Sequence, residues 1–400
     1  MKKVLIVGGS HSEIPLILSA KKKNLYVITT GNQKEGVGHK FSDECHLADY
    51  SDEKAIYKLA EKLKVDFICF GAHDLSLFST VYTAEKLNIP FFDSYEITSV
   101  LHLKDRFKKF ARKNKLLTPK GFDFENLKDA VEFAFEFKLP FIVKPVDMGG
   151  GKGVSKVTER SQIKEAISKA FSFSKRKRII IEEFFNGSLH SCSTFIKNQK
   201  VLFYYADDEY PCINNPYGVC TSTSPATDFE KVKNKLINEI EKVAELLKLK
   251  DGLLHVQYLQ NNEEIKIIEY TRRMPGDLYN IPVELSTGFP YSDAIIDFCT
   301  GNLPYLYQPG QKRFVSRHCI IIKDKIFKGI YISEKIKNYL KNLYIWENIG
   351  ETVKYTKSAI AILEYPSYEE MIEKTKFINA FINGNRGLKE NVQNYTSVLS

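Results

Sequence analysis

The chain opens on a block of aliphatic residues, Val4-Leu5-Ile6-Val7, that stops at Gly8-Gly9-Ser10. A helically spaced segment from Ser12 to Lys23 follows, then a second block, Tyr26-Val27-Ile28-Thr29. Short continuous apolar runs set off by turn residues and alternating with amphipathic stretches predict buried parallel strands joined by helices, with right-handed crossovers. The order continues with a helix over 52–64, a strand over 66–70, a turn at Gly71-Ala72-His73-Asp74, a helix over 77–87 and a further strand at Pro90-Phe91-Phe92. This is an α/β pattern, and it predicts a small open parallel sheet over residues 1–97.

Beyond it the pattern becomes α+β. A helix rich in Lys and Arg (104–115) leads to a helix over 127–137, strands over 141–144 and 154–157, a helix over 161–173 and a three-isoleucine strand that ends in Glu182-Glu183-Phe184-Phe185-Asn186-Gly187. From about 191 come strands, a long loop (210–225) and a helix over 229–247. A hairpin then joins 253–259 to 265–270 across 260–264. Past 305, strands at 317–322 and 359–363 and a helix over 367–381 predict a smaller α+β lobe, and the last dozen residues read as a frayed tail. The expected division is 1–97, 98–304 and 305–400.

Composition narrows the class. With 43% hydrophobic residues among 400, the chain is not a disordered protein, and its +9 excess (58 basic against 49 acidic residues) is spread along it. That charge permits anionic ligands without demanding nucleic acid, and the run Lys175-Arg176-Lys177-Arg178 reads as a solvated turn. Seven cysteines form no CxxC pair, and the odd count cannot close a complete disulfide framework. With no signal-like or membrane-length apolar run, a cytoplasmic location is expected, with no membrane partner.

Four segments carry candidate chemistry. Gly149, Gly150, Gly151 and Gly153 around Lys152 leave backbone amides open to phosphate oxygens, but a strand follows where a Walker loop needs a helix, so a hairpin lid is expected. Lys144 ends an otherwise apolar strand, where a buried ammonium needs an anion. The carboxylates Glu182 and Glu183, beside Phe184 and Phe185, suit a hinge that holds ribose or adenine. Gln257 and Glu269 can face each other across the hairpin with Thr271 on the same face, an oxygen-only trio suited to Mg²⁺ completed by phosphates, and Arg273 projects to that face. The turn Gly8-Gly9-Ser10-His11-Ser12-Glu13 fails the GxGxxG pattern and reads first as a tight turn.

In this order the segments resemble the ATP-grasp superfamily of carboxylate-amine and carboxylate-thiol ligases, over about 300 residues. The resemblance implies an ATP-grasp fold behind a pre-ATP-grasp sheet, with a mobile lid at about 118–190. It also implies nucleotide contacts by Lys104, Lys144, Met148 to Gly153, and Glu182 to Phe185, the adenine meeting the Glu183 carbonyl and the Phe185 amide. His190 resembles a histidine near the ribose. Glu269-Tyr270-Thr271-Arg272-Arg273 fits the family's Glu-x-Asn-x-Arg with threonine for asparagine, and Gln257 replaces the usual first metal glutamate. Mg²⁺, with Mn²⁺ as a substitute, is therefore expected at Gln257, Glu269 and Thr271, with the number of ions open.

The implied reaction is attack of a carboxylate on the γ-phosphate of ATP, with Lys144 offsetting charge and Arg273 steadying the acyl phosphate, followed by displacement of phosphate by an amine. Substrate candidates are His11, His73, Asp74, Arg272 and Asp277; the acidic triplet Asp207-Asp208-Glu209 is a further candidate for an amine, and a homodimer is compatible with the resemblance. A phosphotransferase or carboxyphosphate-type enzyme, and a nucleotide-binding module without catalysis, are the alternatives.

Overall fold

The computed structural model describes residues 1–302, 304–310, 313–355 and 357–384; the expected frayed tail lies outside them. Two compact units divide the chain. One comprises Met1–Phe92, Cys220–Ala226 and the chain from Arg273 onward, the other Asp93–Val219 and Thr227–Arg272.

The first unit begins with β1 (Lys3–Val7), α1 (Ile14–Lys22), β2 (Tyr26–Gly31), β3 (Glu44–Leu47), α2 (Glu53–Leu63), β4 (Phe67–Phe70) and α3 (Asp74–Lys86). The strands pair in parallel in the order β3-β2-β1-β4, and Val4 to Val7 are fully buried at its centre, as their unbroken apolar run predicts. Two expectations fail here. The Pro90-Phe91-Phe92 block is a turn, because proline has no N–H for a ladder. The fourth strand is instead β3, a half-exposed edge whose polar residues hid it.

The second unit contains α4 (Tyr95–His102), α5 (Lys104–Lys113), β5 (Gly121–Phe124), α6 (Leu127–Glu136), β6 (Phe141–Pro145), β7 (Ser155–Val157), α7 (Ile163–Phe173) and β8 (Ile179–Glu183). The sheet β5-β8-β6-β7 is antiparallel, and α6 and α7 cover it through Ala134 and Ile167 against Phe141, Val143 and Ile181. Next come β9 (Ser188–Lys197), β10 (Lys200–Cys212), β11 (Asn215–Ser224), α8 (Phe229–Leu247), β12 (Gly252–Asn261) and β13 (Glu264–Thr271). Strands β13-β12-β9-β10 form a second antiparallel sheet. The segment 210–225, expected as a long loop, is mostly strand. Its polar residues Thr221 to Ser224 are buried, and no apolar alternation marks them.

The chain then returns to the first unit through α9 (Asn280–Thr287), α10 (Tyr291–Cys299), β14 (Phe314–Ile320), β15 (Ile330–Ile332), α11 (Glu334–Lys337), β16 (Leu340–Ile345), β17 (Ala359–Tyr365), α12 (Tyr368–Thr375), α13 (Ile378–Phe381) and β18 (Ile382–Gly384). Strand β14 pairs antiparallel with Thr221–Ser224 of β11 on one side and with β17 on the other, and β16 pairs with β17. The helix expected over 367–381 breaks into α12 and α13. No helix is long and apolar enough to cross a membrane among the described residues.

Candidate active site

Helix α5 carries Lys104 and Lys108 one turn apart on a stripe shared with the buried Phe107 and Ala111. Lys108 Nζ lies 2.8 Å from Glu182 Oε2 and donates to Thr118 Oγ1 (2.6 Å) and the Pro119 carbonyl (2.9 Å). Lys144, opposite Ile180 in the β6–β8 ladder, reaches Glu182 Oε1 at 2.5 Å. All three side chains are buried, at 3%, 7% and 7% exposure for Lys108, Lys144 and Glu182. Two ammonium groups thus share one carboxylate, and the cluster keeps one uncompensated positive charge, the setting in which a phosphate is the natural counter-ion.

Burial alone would raise the Glu182 carboxyl, but the charges of Lys108 and Lys144 and their hydrogen bonds overcome it and hold the group at about 2, below its usual 4.5. Burial lowers Lys108 to about 8 against the pull of Glu182. The folded state therefore holds the Glu182 proton less tightly than the unfolded chain does, so its stabilisation is present above pH 4.5 and lost as pH falls toward about 2. We expect denaturant unfolding to lose about 3 kcal/mol across that window from this group. A stability curve flat from pH 4.5 downward would contradict it. Lys108 acts oppositely, since it is disfavoured as a cation and raising the pH from about 8 toward 10.5 relieves that cost.

Lys104 Nζ donates to the Met148 carbonyl (3.1 Å) and lies 3.6 Å from Glu269 Oε2, so it ties the glycine turn to the hairpin carboxylate. The turn joins β6 to β7 as a hairpin. Gly150, Gly151 and Gly153 have φ of 65°, 74° and 73°, the left-handed region where a side chain is strained. A Cβ on Gly151 would also stand 2.5 Å from Tyr217. Gly149, Gly150 and Lys152 are exposed. At the end of β8, the Glu183 amide donates to the Lys120 carbonyl (3.0 Å), and just beyond it Lys156 sits 3.7 Å over the Phe184 ring. Phe185 is partly buried in the connection to β9. His190 is buried, with Nδ1 2.8 Å from Asp208, Nε2 2.6 Å from Ser188 Oγ and its ring stacked on Tyr258.

In the β12–β13 ladder Gln257 faces Glu269 and His255 faces Thr271. Gln257 donates through Nε2 to Glu209 on β10, which leaves its Oε1 as the atom a cation would take. Among the described residues no three His, Cys, Asp or Glu side chains gather as a metal cage. The donors present, Glu269 with an amide and a hydroxyl, fit a hard divalent cation completed by substrate phosphates. The acidic triplet, considered for an amine, has its carboxylates turned to Ser191 (Asp207), His190 and Thr227 (Asp208), and Gln257 (Glu209).

Arg272, also in the second unit, is buried, with Nε 2.8 Å from Asp93 and Nη2 on the Lys250 carbonyl at 2.7 Å. The remaining candidates lie in the first unit. Arg273 Nε meets Asp74 Oδ1 at 2.7 Å. His73 caps α3 by accepting from the Leu75 amide, and His11 stacks on Trp346 (4.5 Å) with Nε2 3.9 Å from Asp277. Asp277 also pairs with Lys357. Burial would raise its carboxyl, but His11, Lys357 and Arg317 hold it far below the usual range. Its φ of 59° is strained for a residue with a Cβ, and Arg317 pins the loop through the Gly276 and Asp277 carbonyls.

Asp277 and His73 line a cavity of about 270 Å³ with Ser10, Glu13, Asn32 and His39. The glycine turn on its wall carries its own anion, because the Glu13 carboxylate takes the Ser10 amide (2.7 Å) and the Ala72 amide (2.7 Å). A Cβ on Gly8 would meet that carboxylate at 2.7 Å, which accounts for the glycine. Lys108 and Lys357 escaped the sequence reading, and Glu209, considered there for an amine, instead accepts from Gln257. Lys108 alone left a signal, its spacing of four from Lys104 on the apolar stripe.

Residues 103–278 match the family described as phosphoribosylglycinamide synthetase, ATP-grasp (A) domain. The phosphoribosylamine–glycine ligase of Pyrococcus furiosus is 27% identical over 301 residues, 69% of this chain and 67% of that one. Among solved structures, the L-amino acid ligase of Bacillus licheniformis superposes with a TM-score of 0.79 at 18% identity, covering 96% and 98% of the two chains. The phosphoribosylglycinamide synthetase of Anaerococcus prevotii does so with 0.76 at 20% identity, covering 96% and 99%.

Proposed function

We propose that this member of the ATP-grasp superfamily is an ATP-dependent ligase that activates a small-molecule carboxylate as an acyl phosphate and joins it to an amine, releasing ADP and phosphate. The observation that carries the reading is the buried Lys108–Glu182–Lys144 cluster with its surplus positive charge, at the end of β8. Lys144 turns to the phosphates while Lys108 keeps Glu182 neutralised. Lys104 and the amides of Met148 to Gly153, with Lys152, close over the phosphate chain as the lid (118–190) moves. Adenine takes the Glu183 carbonyl and the Phe185 amide beside Phe184, and His190, both of whose ring nitrogens are engaged, packs beside the ribose.

Glu269, Gln257 and Thr271 hold Mg²⁺, or Mn²⁺ in its place. A cation bound there supplies charge stabilisation to the transferring phosphoryl group. Arg273 steadies the acyl phosphate, positioned by Asp74. We expect Asp74→Asn to lower kcat about tenfold, the loss of one charge-assisted hydrogen bond, with the KM for ATP unchanged. A rise in that KM with kcat preserved would remove Asp74 from this role.

The first-unit cavity is assigned to the amine. Its lining has the carboxylates Glu13 and Asp277 and no lysine or arginine, and Glu13 already takes the turn amide a phosphate would use. That favours an unphosphorylated amine, such as an amino acid, over phosphoribosylamine. The reaction is placed in the cytoplasm, and a homodimer is compatible with it. The test is product mass spectrometry with ATP and Mg²⁺ over paired carboxylates and amines. Amino-acid amines are expected to give a condensed product, and turnover restricted to phosphoribosylamine would refute the assignment.

A further inference from the structure

A second cavity in the first unit, of about 390 Å³, opens between α1, α9, α10 and the end of β16. One wall is apolar and aromatic. Leu18 and Ile281 contribute to it, with Tyr344 and Trp346, whose rings stack at 6.2 Å. The opposite wall is polar and under-satisfied. Asn280 is 1% exposed, and its Oδ1 is buried without a hydrogen-bond partner. Glu284 accepts the Ser292 amide (2.8 Å) and is hydrogen-bonded by the Ser292 and Asn280 side chains, but it has no cationic side chain at ion-pair distance among the described residues, since Lys22 on the rim is paired with Asp293 (2.8 Å). Burial accordingly pushes the Glu284 carboxyl above its ordinary value. A half-buried carboxylate without an ion-pair partner and the buried Asn280 acceptor without a donor are both costly, and one group satisfies both.

We propose that this cavity binds a small molecule carrying a primary ammonium group on an apolar, preferably aromatic, body. The ammonium N–H groups donate to Glu284 and the Asn280 Oδ1, and the apolar body lies against Tyr344 and Trp346 on the facing wall. An acid is excluded by Glu284 and Asp293. A neutral alcohol satisfies Asn280 but leaves the carboxylate without its charge. The site is separate from the glycine-turn cavity and does not depend on the ligase reading.

Trp346 is the sole tryptophan of the chain, so intrinsic tryptophan fluorescence of the whole protein reports this wall directly. The probe is 2-phenylethylammonium, with 2-phenylethanol and phenylacetate as controls. A saturable change is expected with the ammonium, at a midpoint at least about tenfold below that of the alcohol. Glu284→Gln should weaken binding about tenfold or more while leaving ATP affinity unchanged. Asn280→Asp, which adds a carboxylate, should tighten it, and so keeps the test decisive if the first variant folds poorly. Equal response to alcohol and ammonium, or no saturation, would overturn the proposal. So would a tryptophan signal that follows protein concentration alone, which would give this face to a second copy of the chain.

Discussion

Replacing Glu182 by glutamine is expected to lower stability by about 3–5 kcal/mol, the cost of removing one partner from a buried ion pair and leaving the other charges unmatched. Here the effect falls on two ammonium groups at once. Lys108 keeps Thr118 and Pro119 as acceptors, but both lysines lose the carboxylate they share. The repulsion between Lys108 and Lys144, which Glu182 masks, then acts unscreened in a buried site. Guanidinium unfolding should show the loss as a lower midpoint with an unchanged slope. The double variant Lys108→Met, Glu182→Gln should recover part of it, because one of the two stranded charges is gone. ATP or ADP should also restore stability to the single variant, by giving the lysines an anion. A loss under about 1 kcal/mol would mean that water reaches the cluster and that its surplus charge does not select a phosphate.

The second large effect is on catalysis. Glu269→Gln keeps the shape of the hairpin face but removes its one carboxylate, which leaves an amide pair and a threonine where a hard cation is to be held. It also removes the partner 3.6 Å from Lys104. Electrostatic groups aimed at charge that develops in the transition state are each worth about 10²–10³ in kcat, so phosphate release should fall by at least about a hundredfold. Raising the metal concentration should restore part of the rate if the defect is cation affinity. Lys144→Met should fall as far without any rescue by metal, since Lys144 is bonded to Glu182 on β8 and is not one of the groups assigned to the cation. Equal rescue of both variants by metal would show that the two residues do not have the separate roles assigned to them.

Much of this arrangement is legible in the sequence. The runs Val4–Val7 and Ile179–Ile181 read as buried strands because their apolar residues are unbroken, and the helix over 229–247 reads from periodicity alone. The hairpin placed Gln257 against Glu269 because antiparallel strands joined by a short turn allow that pairing. What stayed hidden shares one physical cause, polar residues buried by partners distant in sequence. The Asp207-Asp208-Glu209 triplet resembles a solvated loop until Ser191, His190 and Gln257 are brought beside it. Thr221 to Ser224 are strand residues without an apolar face. Lys108 looked like one more charge in a basic helix, and its meaning depends on Glu182, 74 positions further on. Lys357 gains significance only by its pairing with Asp277.

The central claim is that ATP is consumed in joining a carboxylate to an amine. Phosphate release with ATP and Mg²⁺ across a matrix of carboxylates and amines, with product masses recorded in parallel, tests it most directly. Release that needs both substrates, accompanies a condensed product and disappears in Glu269→Gln is the predicted result. Release driven by a carboxylate alone with a stable phosphorylated product, or nucleotide binding without turnover under any pairing, would contradict it.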